Sequence, residues 1–265
     1  DGGLKLKHAF IDQYSHLDSF IHKLDPRTKL LITLAFVLVV ISTPLARWQA
    51  FIGYFILISL LILLSKLPLL YVLKKSLVII PFVLLICVFN LFFKSGEVVA
   101  SYNIWKWQVS ITDEGLFILL NVLIKAFLST LSLILLTSTT KFTQLLKGLE
   151  QLRMPKVMVM TLSFMYRYIF VLVDEVMRMR QARDSRNFGG KRIWQMKTIG
   201  NMVGTLFLRS YERGERVYMA MVSRGYDGQI QTLSPLSFSP KDAYFGATVG
   251  LFLASVFLLT LFWQV

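Results

Sequence analysis

Two arginines stand at matching places in this chain of 265 residues. Arg183 lies in RMRQARDSRNFGG and Arg224 in YMAMVSRGYDG, each after methionines and a small residue, Ala182 or Ser223, and before a polar or glycine position, Asp184 or Gly225. A guanidinium is a planar fork of five donors that matches a carboxylate, and a small neighbour lets another protein approach closely. The chemistry on offer is docking, not bond-making. One such arginine is ordinarily explained as complementing a helix dipole, whereas the same phrase at two helix ends points to a two-pronged contact.

Other reactive residues are sparse. His8, Asp12 and His16 recur at i, i+4, i+8, one face of a helix that could touch a metal, although an amphipathic interfacial segment has the same pattern. Cys87 is the single cysteine, so neither an intramolecular disulfide nor a thiolate metal site can be built. No phosphate-binding G-x-x-x-x-G-K-[ST] occurs: Gly190-Lys191 is followed by Arg192. The expected spans carry no acid, histidine or paired nucleophile and base, which argues against a membrane-embedded enzyme. The net charge of +14 could suggest nucleic acid, but Asp174, Glu175, Glu212 and Glu215 interrupt the arginines and no aromatic platform accompanies them. No cofactor is implied.

The elements that must position the arginines are helices. Mean hydropathy is +0.61, and apolar runs approach the ~20 residues that a spanning helix needs. The fold class expected is all-α and polytopic, with about five transmembrane helices and a cytoplasmic pair of long helices. The first span follows Asp25-Pro26, an N-cap with proline at the first helical position. The others cover 50 to 65, 76 to 93 with a kink at Pro81, Leu116 to about Thr139 after the Thr112-Asp113-Glu114-Gly115 cap, and 243 to 263. The first 27 residues lack the apolar region of a secretory signal, so insertion through the first span is expected.

Residues 141 to 242 hold 17 Lys/Arg against 8 Asp/Glu. The apolar stretch 157 to 173 within them contains Arg167 near its centre, and making it a span would split the basic residues between two sides. With five spans, amino terminus in the cytoplasm and carboxyl terminus outside, every basic loop lies inside. The chain divides into 1 to 140, 141 to 242 and 243 to 265.

In the middle segment, Leu145, Leu146, Leu149 and Leu152 share one face of a short helix closed by Met154-Pro155. Two rods follow, Lys156 to about Phe188 and Ile193 to Ser223, separated by Gly189-Gly190; the second ends in a left-handed cap at Gly225. Gly200 and Gly204 suggest a close crossing. All ten methionines lie between Met154 and Met221, as suits surfaces that repack against moving partners. Lys125 is an intramembrane charge without an acid to pair with, a functional candidate or a lysine that faces the bundle interior or snorkels outward. Gly246, Gly250 and Ala254 form a small-residue face expected to pack within the bundle, with an interface to another subunit as the second choice.

Taken together, these residues resemble the transmembrane T component of energy-coupling factor transporters, over essentially the whole chain. The family's two Ala-Arg-Gly signatures match Ala182-Arg183-Asp184 and Ser223-Arg224-Gly225, the first departing at its third residue and the second at its first. HAFIDQYSHLDSFIHKLDPRTKLL, residues 8 to 31, is similar to the amino terminus of the cobalt and nickel branch, the CbiQ type. The resemblance implies a non-catalytic subunit of a cell-membrane importer. Its implied partners are two ATPase subunits docked at the two arginines, a substrate-binding membrane S component of the cobalt or nickel type, and a small accessory membrane subunit. A vitamin importer with the same T role is the alternative.

Overall fold

The computed structural model describes residues 18 to 44, 47 to 85, 98 to 104, 107 to 186, 192 to 227 and 238 to 262. His8, Asp12, His16, Cys87 and Gly189-Gly190 lie outside them.

The described residues are helical but for one hairpin. They comprise α1 (Pro26–Ser42), α2 (Trp48–Leu64), α3 (Leu69–Leu77), strands β1 (Val98–Ile104) and β2 (Trp107–Thr112), α4 (Asp113–Thr139), α5 (Phe142–Gln151), α6 (Lys156–Ser185), α7 (Arg192–Val222) and α8 (Pro240–Phe262). The chain forms two compact units. One contains Leu149–Pro235, and the other Ala9–Gly148 with Leu236–Val265.

In the second unit, α1, α2, α4 and α8 enclose a core that includes Phe36, Val40, Tyr54, Ile58, Leu131 and Leu253. Tyr54 is fully buried, with Phe36 and Phe51 edge-on at centroid distances of 6.0 and 6.2 Å. Its hydroxyl lies 3.2 Å from Thr43 Oγ1, which itself donates to the Val39 carbonyl, so the only buried polar group of the ring is satisfied. Leucines and isoleucines elsewhere on these helices face outward, for example Leu38, Ile56, Leu63, Leu251 and Leu259. A shell of apolar side chains around an apolar core is what a bundle in lipid requires.

Several boundaries differ from the sequence reading. Residues 69 to 77 are helical, not loop: Pro68 supplies the start and Lys74 and Lys75 sit in the last turn, where the dipole favours cations. The helix breaks at Val78–Ile79 and resumes at Ile80. Pro81 has no N–H to give the Leu77 carbonyl, so the break falls in the turn that its ring disrupts. Residues 98 to 112, expected as a plain connection, form an antiparallel hairpin with Ile104 opposite Trp107. The stretch is rich in Val, Ile, Tyr and Trp, and such side chains favour pleated backbone. α8 begins at Pro240, earlier than expected: Ser239-Pro240 has the same order as Asp25-Pro26, with proline at the first helical position, and Asp242 Oδ2 accepts from Ser239 N–H.

Two close-packing expectations fail. Nothing lies within 4 Å of a Cβ placed at Gly200 or Gly204, so neither marks a tight crossing, and the same holds at Gly246 and Gly250. The bundle face of α8 is instead Phe245, Val249, Leu253 and Val256.

Among the described residues, three helices are long and apolar enough to cross a membrane: Gly115–Thr139 of α4, Lys156–Ser185 (α6) and Pro240–Thr260 of α8. The shorter α2 is also apolar.

Candidate functional site

The two signature arginines sit on differently built helix ends. α7 closes in a six-residue hydrogen-bonded turn. Gly225 takes φ 78, its N–H donates to the Val222 carbonyl at 2.9 Å, and Tyr226 N–H donates to the Met221 carbonyl at 3.1 Å. This is the paired 5→2 and 6→1 closure that glycine permits, at the residue where the sequence predicts it. Ser223 Oγ bonds back to Met219, and Tyr226 hydroxyl reaches Met160 Sδ on α6, tying the end of one rod to the start of the other. Arg224 therefore lies at the cap itself. Ser223, Arg224 and Gly225 are all exposed, and Arg224 forms no ion pair among the described residues.

Arg183 lies in the last turn of α6, one turn inside the boundary, and Arg186 is the cap residue. Its side chain is 20% exposed and lines a groove of about 380 Å³ between α6 and α7 with Val176, Met179, Ile199, Met202 and Leu206. Nε and Nη2 of Arg183 both donate to Asp184 Oδ1, at 3.0 and 2.8 Å. Arg180 Nε stands 3.8 Å from the other Asp184 oxygen. Ala182 is exposed beside this cluster.

Between these ends the rods are joined by charge. Glu175 on α6 bonds Arg209 on α7 and pairs with Arg178 at 3.2 Å. The bond from Arg209, then the fields of Arg178, Arg209 and Arg213, hold the Glu175 carboxyl below the ordinary carboxylate value. Otherwise the two helices leave large apolar side chains uncovered, among them Met165, Val176, Met177, Val203, Phe207 and Met219. An exposed apolar surface of this extent is a contact surface for lipid or protein.

A second set of polar residues lies in the bundle: Asp25 and Lys125 stand out in the sequence, whereas sequence reasoning missed Asp242 and the partners of Lys29. Asp25 caps α1 by accepting from Arg27 N–H at 2.8 Å. Its own N–H donates to Asp242 Oδ1 at 2.9 Å, and Asp242 Oδ2 accepts from Ser239 N–H at 2.8 Å. Lys29, 5% exposed, donates to the His22 and Thr139 carbonyls at 3.1 and 3.2 Å. Lys125 donates to the Ile41 carbonyl at 2.7 Å. α1 and α4 thus each send a lysine to the carbonyl end of the other, where the helix dipole is negative. Lys125 is paired with a helix end, not with an acid. The one available signal was SFSPKD, whose acid three residues after a serine has capping-box spacing.

An apolar helical bundle and a pair of long helices with arginines at their ends have the build of a multi-pass membrane protein. The chain belongs to the cobalt transport protein family (CbiQ), whose family model matches residues 18–233. It is similar to the energy-coupling factor transporter transmembrane protein EcfT of Clostridium kluyveri, 30% identical over 97% of this chain and 98% of that protein. It is also similar to EcfT of Lactococcus lactis, 28% identical over 84% of this chain and 86% of that protein. A Methanocorpusculum labreanum protein provisionally named a fused cobalt transport protein, CbiMQ, is 28% identical over 96% of this chain, which covers 44% of that longer protein. The chain is an EcfT-like energy-coupling transmembrane component, of a class of non-catalytic transporter subunits.

Proposed function

We propose that this chain carries ATP-driven motion from two ATPase subunits, docked at Arg183 and Arg224, to a substrate-binding membrane S component, in an importer of cobalt or nickel. The observation that carries the reading is the pair of arginines at the ends of α6 and α7 in a member of this family. Each guanidinium can take a carboxylate on one ATPase subunit, and the uncovered apolar and methionine side chains of α6 and α7 suit a partner that shifts between conformations. The metal is supported by the family description and by the provisional name of the Methanocorpusculum relative. A vitamin remains the second reading, because the EcfT names specify no substrate. A small accessory membrane subunit belongs to the same proposed assembly.

The working orientation places the amino terminus and residues 141 to 242 in the cytoplasm. The 17 Lys/Arg of that segment support it. α6 has the length and composition of a span, but crossing would bury Arg167 and move residues 174 to 242, with both Arg183 and Arg224, away from the side that holds ATP.

Transport tests the reading. Arg183→Glu with Arg224→Glu should abolish ATP-dependent uptake of radioactive cobalt and nickel while the chain still inserts and folds. Wild-type uptake by the double variant would overturn it, and uptake of neither metal by the wild-type assembly would favour the vitamin.

A further inference from the structure

The two arginine ends are not equivalent, and one of the differences is Asp184. Arg183 enters the groove between α6 and α7 and gives two of its five N–H donors to Asp184 Oδ1, at 3.0 and 2.8 Å. Asp184 is itself held toward the helix by Arg180, 3.8 Å from Oδ2. Asp184 remains 53% exposed, while the Arg183 side chain it binds is only 20% exposed. A carboxylate arriving from outside meets an arginine whose charge is already matched and an acid that repels it. Arg224 presents the opposite situation: an exposed residue on a glycine-closed turn, with no ion pair among the described residues.

From this geometry we infer that Asp184 is a latch on Arg183. It is a positioning residue that keeps the first arginine paired within the chain until an incoming carboxylate displaces it, so that the ATPase subunit at Arg224 engages before the one at Arg183. The inference rests on the docking role proposed above and adds an order to it. The competing bond joins adjacent, partly exposed residues, and such pairs are weak, so the latch delays and weakens the second contact without forbidding it. A device of this strength acts mainly on the association rate and is screened by salt.

The test uses the full chain in lipid nanodiscs and the purified ATPase subunits of the same transporter as analyte, with association followed by interferometry at low and high salt. Asp184→Asn keeps the shape and removes the charge. It should tighten binding about two- to five-fold, through faster association, with the gain lost at high salt and lost again when Arg183→Gln is added. Unchanged or weaker binding by Asp184→Asn, while Arg183→Gln or Arg224→Gln weakens binding, overturns the latch and leaves the docking role standing. No effect from Arg183→Gln and Arg224→Gln overturns the docking role and the latch with it. Asp184→Gly, which also removes the side-chain volume, should match Asp184→Asn; if only one variant gains, charge pairing is not the cause.

Discussion

The backbone N–H of Asp25 donates to Oδ1 of Asp242 at 2.9 Å, across 217 positions of sequence. The same buried carboxylate accepts Ser239 N–H, so one side chain satisfies a donor at the start of the first helix and another at the start of the last. Asp242→Ala leaves both amides without this acceptor. Each such loss costs about 1–3 kcal/mol, and a clear fall in the melting temperature of the detergent-purified chain is expected. Asp242→Asn, which keeps one oxygen, should fall between. Equal melting of Asp242→Ala and wild type would refute the junction's structural role.

Lys29 and Lys125 act at opposite ends of the α1–α4 pair, on the order of 18 Å apart along α1 at 1.5 Å per residue. Lys29→Met removes a charged donor from two carbonyls in a buried site and should cost about 1–3 kcal/mol. Lys125→Met removes one bond at a partly exposed site and should cost less. The double variant should equal the sum within about 0.5 kcal/mol; a larger coupling energy in unfolding measurements would mean that the two ends communicate.

The Glu175–Arg209 bridge predicts a pH dependence of the α6–α7 pairing. A carboxyl held below its ordinary value contributes stability above that value and loses it as pH falls through the depressed one. Spin labels at Val173 and Leu208, both exposed, should report one distance from pH 8 down to the ordinary carboxylate value of 4.5 and a broader distribution only in stronger acid. Glu175→Gln should give the broad distribution throughout. A transition near neutral pH would exclude this bridge as its source.

Gly225 sets where Arg224 points. An alanine there meets no neighbouring atom, so its cost is that of left-handed backbone alone, about 1–2 kcal/mol. Gly225→Ala should leave insertion intact and lower ATP-dependent uptake, and Gly225→Asn, which tolerates that backbone better, should lie closer to wild type. If Gly225→Ala transports normally, the turn does not position Arg224.

Much of the architecture follows from local chemistry. Asp25-Pro26 starts a helix wherever it stands, Pro81 interrupts one, and Gly225 ends one, because each acts through its own backbone dihedrals or missing N–H. Apolar runs in α4, α6 and α8 have the length and composition of membrane spans, and α2 is apolar but shorter. The hairpin at 98 to 112 escaped because a search for long apolar runs passes over short strands, although the Val, Ile, Tyr and Trp content was in view.

The two arginine phrases could be found from residue order alone, as could the need for helices to carry them. Their inequality could not. Whether Arg183 faces solvent or Asp184 depends on rotamers and on α7 closing the groove beside it. Partners for Lys29, Lys125 and Asp242 were equally hidden, since each is a backbone group at a helix end or in a turn, and every residue has such groups. Which of them meets a buried charge is decided when the helices pack, because only there does leaving a carbonyl or an amide without a partner carry a cost.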